Sequence, residues 1–318
     1  VRQQTFLCSS TKDKPPNRYW TQCNQPPTKP IPSNAPTLYQ NIARERTRIP
    51  QFIYFADNNA MPFLLLTNDD GIDAPGLLAL KQALEKIMPV RVMAPDRNWS
   101  VAGHAKTLHR PLRVRPTRLA DGSAAYKCDG APSDCVALAL LGFFDERPRM
   151  VISGINSNAN VGSDITYSGT VAAAMEAALD GVPAIAVSLD AQEQAQHYAT
   201  AGEYAARLAQ RLLQLRLPSD TLLNVNVPDV ALEEIRGVAI TRGGKRIYYD
   251  QLITRQDPYG HPYYWIGGER PGGDHELEGT DIWALAHHLV SITPVHMDMT
   301  NYALINELEQ TLGDLARR

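Results

Sequence analysis

The chain has 318 residues, 44% of them hydrophobic and 20% charged, with a formal net charge of −3. That length and apolar content suffice for one large domain or two ordinary ones with a substantial core. They exclude a nucleic-acid scaffold, which needs a long basic stripe, and a helical membrane span, because no run approaches about 18 apolar residues.

Residues 1–60 differ from the rest of the chain. They are rich in Pro, Asn, Gln, Thr and Arg and carry no sustained apolar period, as in Lys14-Pro15-Pro16-Asn17 and Pro26-Pro27-Thr28-Lys29-Pro30. Such a composition cannot bury enough apolar surface to offset ordering entropy. The basic start, apolar block and small-residue cleavage site of a secretory signal are missing. Arg44, Arg46 and Arg48 hint at a transit peptide, but acidic residues and prolines interrupt any amphipathic pattern. The expectation is a disordered extension or an upstream-start artefact, with the folded domain covering 61–318 from Met61 onward.

From there strand and helix patterns alternate. Residues 63–67 are a continuous apolar run before a turn, the pattern of a strand buried on both faces. Leu77, Leu80, Leu84 and Ile87 share one helical face. Residues 90–94 predict a second strand, 135–144 a helix and 150–153 a third strand. A small-residue helix follows over 170–179, a strand over 184–188, a long helix over 198–215 and a strand over 222–227. The alternation predicts an α/β fold, a Rossmann-like, mostly parallel sheet with helices on both faces. After about residue 232 the pattern changes. Tyr248-Tyr249 and Tyr263-Tyr264-Trp265 flank the polar turn Gln256-Asp257-Pro258-Tyr259-Gly260, which predicts a hairpin arm over about 244–270. Its aromatics either pack on a partner subunit or cover this chain's own core. There is no internal repeat.

The four cysteines, Cys8, Cys23, Cys128 and Cys135, form no CxxC pair and no zinc spacing. Cys128 and Cys135 are expected to be buried free thiols in a reducing cytosol.

Four polar clusters carry the candidate chemistry. Thr67-Asn68-Asp69-Asp70-Gly71 follows the first strand. Adjacent carboxylates repel unless a cation or donors neutralise them, and Gly71 lets a turn bring both to one point. Ala94-Pro95-Asp96-Arg97-Asn98-Trp99-Ser100 follows the second strand. Ser153-Gly154-Ile155-Asn156, expected as a loop after the third strand, continues through Asn158, Asn160, Gly162 and Ser163. Tyr167-Ser168-Gly169-Thr170 opens the small-residue helix, where Ser168 is a good N-cap and the exposed N–H groups suit a phosphate. Taken alone, each cluster is more often turn or cap chemistry. Together all four fall on the sheet edge where such folds bind ligands. Two carboxylates, a hydroxyl and an amide carbonyl form an all-oxygen set, suited to Mg²⁺, Mn²⁺ or Ca²⁺ rather than a thiolate-bound zinc.

At these residues the chain resembles the SurE family of survival-protein nucleotidases. The motifs are LLLTNDDGIDAPG, VMAPDRNWSVAGHAKTL, GAPSDCVALAL, VISGINSNANVGSDITYSGTVAAAMEAAL and SITPVHMDMTN, spanning Met61 to about Asn301. The resemblance implies divalent-metal-dependent hydrolysis of nucleoside 5′- and 3′-monophosphates, with short polyphosphate as a further substrate of some members. It implies one divalent ion per subunit, held by Asp69, Asp70, Ser100 and Asn156. Asn68 matches an asparagine beside the metal pair, and Ser168, Gly169 and Thr170 match the segment lining the phosphate site. It also implies a homodimer or homotetramer with exchanged C-terminal elements, and a cytoplasmic enzyme with no membrane or nucleic-acid partner. Trp99 and Ala131-Pro132 depart from common family residues at positions that are not ligands.

The mechanism expected from this has Asp69 orienting or deprotonating water. Asn68 donates to the transferring phosphoryl, and the N–H groups at Ser168-Gly169 hold its other oxygens. Arg97 either assists phosphate capture or forms a surface ion pair. A haloacid-dehalogenase-like phosphatase needs two aspartates two positions apart, but Gly71 and Ile72 stand at that offset from Asp69 and Asp70. A non-catalytic nucleotide- or metal-binding regulator is the alternative of another class.

Overall fold

The computed structural model describes residues 61–318 apart from 216, 274, 314 and 316–318, with backbone only at 270. The expectation for 1–60 lies outside the described residues. A nine-stranded sheet is ordered β3-β4-β2-β1-β5-β6-β7-β11-β8. Its strands are β1 (Leu64–Thr67), β2 (Val90–Pro95), β3 (Val114–Arg118), β4 (Ala124–Cys128), β5 (Met150–Asn156), β6 (Ala184–Asp190), β7 (Thr221–Pro228), β8 (Gly237–Ile240) and β11 (Leu289–His296). Only the β3–β4 and β7–β11 neighbours are antiparallel, so the predicted mostly parallel sheet is present.

Successive residues of β1 point to opposite faces and seed two cores. Leu64 and Leu66 pack with Leu77, Leu80 and Leu84 of helix α1 (Pro75–Leu84) and with Ala201, Ala205 and Ala209 of α4 (Tyr198–Leu212). Phe63 and Leu65 pack on the other side with Cys135 and Val136 of α2 (Pro132–Leu138) and Val171, Ala173 and Ala174 of α3 (Gly169–Leu179). The run of small residues in α3 is buried almost all round, which lets it sit close between the sheet and α2. Cys128 and Cys135 are buried free thiols, as expected.

Several boundaries differ from expectation. The helix foreseen over 135–144 begins at Pro132 and passes into a wider turn at Ala139–Phe143, broken by Gly142 at a φ of 105°. The third strand runs on through Asn156 instead of ending in a loop. Its register with β6 shifts between Ser153 and Asn156. Gly154 permits this, having a φ of 136° and no room for a Cβ, which would fall 2.3 Å from the Val187 carbonyl oxygen. No residue pattern announced β3, whose VRPTR lacks apolar alternation and holds Pro116. A proline is tolerated there because β3 is an edge strand.

The hairpin is a separate two-stranded sheet of β9 (Arg246–Gln256) and β10 (Pro262–Gly273), turning where the sequence indicated. Tyr249, Leu252, Tyr264, Trp265 and Ile266 on it are exposed, so these aromatics do not cover this chain's own core. Short α5 (Asp281–Ala286) precedes β11, and α6 (Tyr302–Leu312) has no buried residue and exposes Leu304, Ile305 and Leu308. Among the described residues no helix is long and apolar enough to cross a membrane.

Candidate active site

The strand order reverses at β1, which feeds β2 on one side and lies against β5 on the other. In an open α/β sheet a ligand crevice forms at such a switch point, beyond the carboxyl ends of the strands. Here those ends deliver Asp69 and Asp70 from β1, Asn98 and Ser100 from β2, and Asn156 from β5. With Ser168 before α3, all of them line one cavity of about 790 Å³.

The turn after β1 is held by Asn68, which is fully buried. Its Nδ2 donates to the Gly71 carbonyl at 2.9 Å and its Oδ1 accepts from the Gly71 N–H at 3.2 Å. Gly71 has a φ of 102°, and the loop at Arg97 lies against it. Two further backbone bonds tie the β1 and β2 loops together, Ile72 N–H to Pro95 O at 2.8 Å and Trp99 N–H to Asp69 O at 2.7 Å. Asn68 is thus spent on the turn and does not line the cavity. Asn68→Ala should cost about 1–3 kcal/mol, the penalty of two buried groups losing their partners. Urea unfolding measures this, and a loss below about 0.5 kcal/mol would contradict the assignment.

Asp69 is 3% exposed and sits against the start of α3. Thr170 Oγ1 donates to its Oδ1, and the N–H groups of Gly169 and Thr170 point at the same carboxylate. Burial nonetheless pushes its carboxyl above the usual range, against those donors. Asp70, half-buried, is raised to about 6 by burial first and by the Asp69 charge second. The helix start foreseen as a phosphate cradle donates to Asp69. Gly169 and Thr170 position that carboxylate, and neither lines the cavity. Ser168 caps α3 by accepting from Val171 N–H at 3.1 Å, which leaves its hydroxyl hydrogen to donate elsewhere.

Asn156 donates through Nδ2 to the Asn158 carbonyl at 2.6 Å, so its Oδ1 is the end left for a ligand. Ser100 is exposed, with its N–H on Asn98 Oδ1 at 2.6 Å, and Asn98 Nδ2 reaches Asp70 at 3.5 Å. Arg97 is not brought to this cavity. It lines a neighbouring depression of about 410 Å³, 3.7 Å from Asp96 and stacked over Trp99.

Sequence reasoning missed two supports. Asn224 and Asn226, in the otherwise apolar β7, both donate to the Asn160 carbonyl, at 2.8 and 3.0 Å. Asn160 N–H returns a bond to Asn226 Oδ1 at 2.8 Å, and its Nδ2 reaches Ser188 at 2.8 Å. This buried network fixes the loop after Asn156, and polar residues at alternate positions of a buried strand were the available signal. The other is a latch to the arm. Tyr248 donates to the Asp164 carboxylate and Arg246 pairs with it at 3.1 Å, which puts Tyr248, Asp250 and Ile266 on the cavity wall.

The cavity is acidic. Asp69, Asp70, Asp164 and Asp250 line it, and no Lys or Arg does among the described residues. No group of three or more His, Cys, Asp or Glu side chains is gathered as for a metal among those residues. A cation here would draw on the hydroxyl and amide oxygens as well as the carboxylates. That set suits a hard divalent ion.

Fold and site define an α/β protein of the doubly wound type with an acidic, oxygen-rich crevice at its switch point. The profile of the family described as survival protein SurE matches residues 64–250. A 5′-nucleotidase SurE from Herpetosiphon aurantiacus is 52% identical over 254 residues, covering 80% of this chain and 99% of its own. One from Chloroflexus aggregans is 50% identical over 249 residues, 78% and 98% of the two chains. The crystal structure of the SurE protein from Aquifex aeolicus superimposes with a TM-score of 0.68 at 41% identity, covering 79% of this chain and 99% of that one. The chain belongs to the SurE family.

Proposed function

We propose that this chain is a 5′-nucleotidase that hydrolyses nucleoside monophosphates in the switch-point cavity, with one divalent cation held by Asp69, Asp70, Ser100 and Asn156. The observation that carries this is the cavity's charge: Asp69, Asp70 and Asp250 line it with no Lys or Arg on the wall among the described residues, while Asp164 is already paired with Arg246 behind the wall. A phosphate monoester is a dianion at neutral pH and would be repelled by such a wall unless a cation lay between them. Two adjacent carboxylates buried together ask for the same neutralisation. When bound, the cation supplies a lowered water pKa and positive charge opposite the phosphoryl group. The relatives named 5′-nucleotidase support the substrate class.

The chain's own residues divide the remaining work. Thr170 and the first amides of α3 fix the orientation of Asp69, so this carboxylate acts as a rigid ligand that can also orient water. Asp70, nearer the cavity mouth, shares the charge. Ser168 donates its hydroxyl hydrogen to a phosphoryl oxygen. Asn68 acts indirectly, through the turn it closes. Mg²⁺ and Mn²⁺ fit the oxygen set, and Ca²⁺ is a further occupant. The arm and α6, with their exposed apolar side chains, support assembly into a homodimer or homotetramer. Residues 61–318 act as one domain, and the buried free thiols suit a reducing cytoplasm.

The test is a metal-by-substrate panel on the full chain. Phosphate release is measured from 5′-AMP, 5′-GMP, 3′-AMP and tripolyphosphate with EDTA or with added Mg²⁺, Mn²⁺ or Ca²⁺. Release from the 5′-monophosphates that depends on Mg²⁺ or Mn²⁺ is expected. The other two substrates measure the breadth of the site. Nucleotide binding without turnover under any ion would instead point to a regulator, and turnover insensitive to EDTA would remove the cation from the scheme.

A further inference from the structure

A second cavity of about 410 Å³ adjoins the first, with Asn158 and Ala159 lining both. Its floor is apolar: Val161, Ile282 and Leu285 are buried together, with Ala159 packed against them. Its polar side is built by Asp190 at the carboxyl end of β6, Gln192, and Arg246 and His275 from the two ends of the arm. The volume falls within the range of about 300–1,000 Å³ typical of small-molecule sites, as does the mix of an apolar wall and a few polar groups.

The polar groups narrow the ligand. The Arg246 guanidinium is engaged by Asp164 at 3.1 Å, so it is not held in reserve for an anion. The Asp190 carboxylate on the same wall would repel a second phosphate. Burial pushes the Asp190 carboxyl above the usual range despite Arg246 and His275 nearby, and the hydrogen bond it accepts from Gln192 is long, 3.5 Å. A half-buried carboxylate in that setting calls for neutral hydroxyl donors. A flat ring joined to a sugar with vicinal hydroxyls satisfies both the floor and the acid.

We infer that this second cavity is the nucleoside subsite, in which the base lies on Ala159, Val161, Ile282 and Leu285 and the Asp190 carboxylate accepts the ribose 2′- and 3′-hydroxyls. The inference rests on the phosphomonoesterase reading of the first cavity and adds the part of the substrate that the metal site cannot read. It makes Asp190 a specificity-determining residue for ribonucleotides. It also makes the arm root, through Arg246 and His275, part of the substrate wall.

The experiment compares kcat/KM for 5′-AMP, 2′,3′-dideoxy-AMP and p-nitrophenyl phosphate with Mn²⁺, in the wild-type full chain, Asp190→Asn and Ala286→Trp. Ala286 ends α5 at the cavity rim and is exposed, so the indole enters the cavity without disturbing the core. Asp190→Asn should lower the ratio of AMP to p-nitrophenyl phosphate about tenfold, the scale of a lost charge-assisted hydrogen bond, and leave the dideoxy ratio within about twofold. Ala286→Trp should lower both nucleotide ratios about tenfold by occupying the base position. Ratios for AMP unchanged in both variants would overturn the subsite. So would an equal fall of the two nucleotide ratios in Asp190→Asn, or loss of all three substrates together, which would place Asp190 in support of the phosphoryl site. Failure of the wild type to hydrolyse either AMP or p-nitrophenyl phosphate would instead sink the phosphomonoesterase reading on which the subsite depends.

Discussion

Asp70→Asn is expected to lower phosphate release from AMP by at least about 10³-fold while making the metal-free protein more stable. Both effects have one cause. Asp70 sits beside Asp69 in a half-buried crevice, and burial together with that neighbouring charge raises its carboxyl from 3.8 to about 6. A folded-state pKa above the unfolded one means that the folded form binds the proton more tightly. The stabilisation this represents is present below the unfolded value near 3.8 and is lost as pH rises through about 6. At pH 7 the metal-free fold therefore holds a charge at Asp70 that its surroundings oppose. Replacing Asp70 by the neutral isostere removes that opposition, worth about 1–2 kcal/mol once solvent screening at the open side is allowed for. For a domain of this size that is a rise of about 2–8 °C in Tm.

Divalent cation should reverse the order of the two proteins. The wild type gains stability with Mn²⁺ by mass action, and Asp70→Asn, with a ligand neutralised, gains much less. Differential scanning calorimetry with EDTA and with Mn²⁺, alongside phosphate release, measures all of this. A variant that keeps more than a tenth of the turnover, or whose metal-free Tm falls by several degrees, would remove Asp70 from the ligand set. The same substitution separates a metal ligand from a turn residue, since a structural turn residue has no reason to trade stability against turnover.

How far the sequence carried depended on the range of the interactions involved. β1, α1, α3 and β7 were legible because their burial is written in local periodicity, such as Leu77, Leu80 and Leu84 on one face and the unbroken run at 64–66. The gathering of Asp69, Ser100, Asn156 and Ser168 was legible because strand ends of a doubly wound sheet converge whatever the loops do. What escaped depends on contacts distant in the chain. Asn68 reads equally well as a substrate donor or a turn residue until its partner, Gly71, is seen. Thr170 and Asp69 are 101 residues apart, and nothing local announces their bond. β3 and β8 are edge strands, half-exposed, where alternation is weak. Arg97, a cation in a loop beside two aspartates, invited a phosphate role, yet its side chain lies against Asp96 and Trp99 and lines a neighbouring depression.

The unforeseen contact between α3 and Asp69 gives the second large expectation. Gly169→Ala should weaken Mn²⁺ binding by about 10–100-fold and cut turnover at low Mn²⁺ by about 10²-fold, although the methyl touches neither cation nor substrate. A Cβ at Gly169 would fall 2.7 Å from Asp69 Cβ and 3.0 Å from its Oδ2. The first distance is shorter than packed carbons tolerate, so either the helix start retreats or the carboxylate turns away. Asp69 cannot turn freely, because Thr170 Oγ1 and the first two amides of α3 hold it from that same helix. Retreat of α3 is resisted in turn by the buried small residues that wedge it between sheet and α2. The strain, about 1–3 kcal/mol, therefore falls on the one group both elements share, and that group is a ligand. Saturating Mn²⁺ should restore much of the lost kcat in Gly169→Ala, because the ligand is displaced and not removed. Thr170→Val loosens the same carboxylate without crowding it and should show a weaker form of the same cation dependence. Wild-type Mn²⁺ affinity in Gly169→Ala, measured by titrating turnover and Tm together, would mean that α3 merely covers Asp69 and does not aim it.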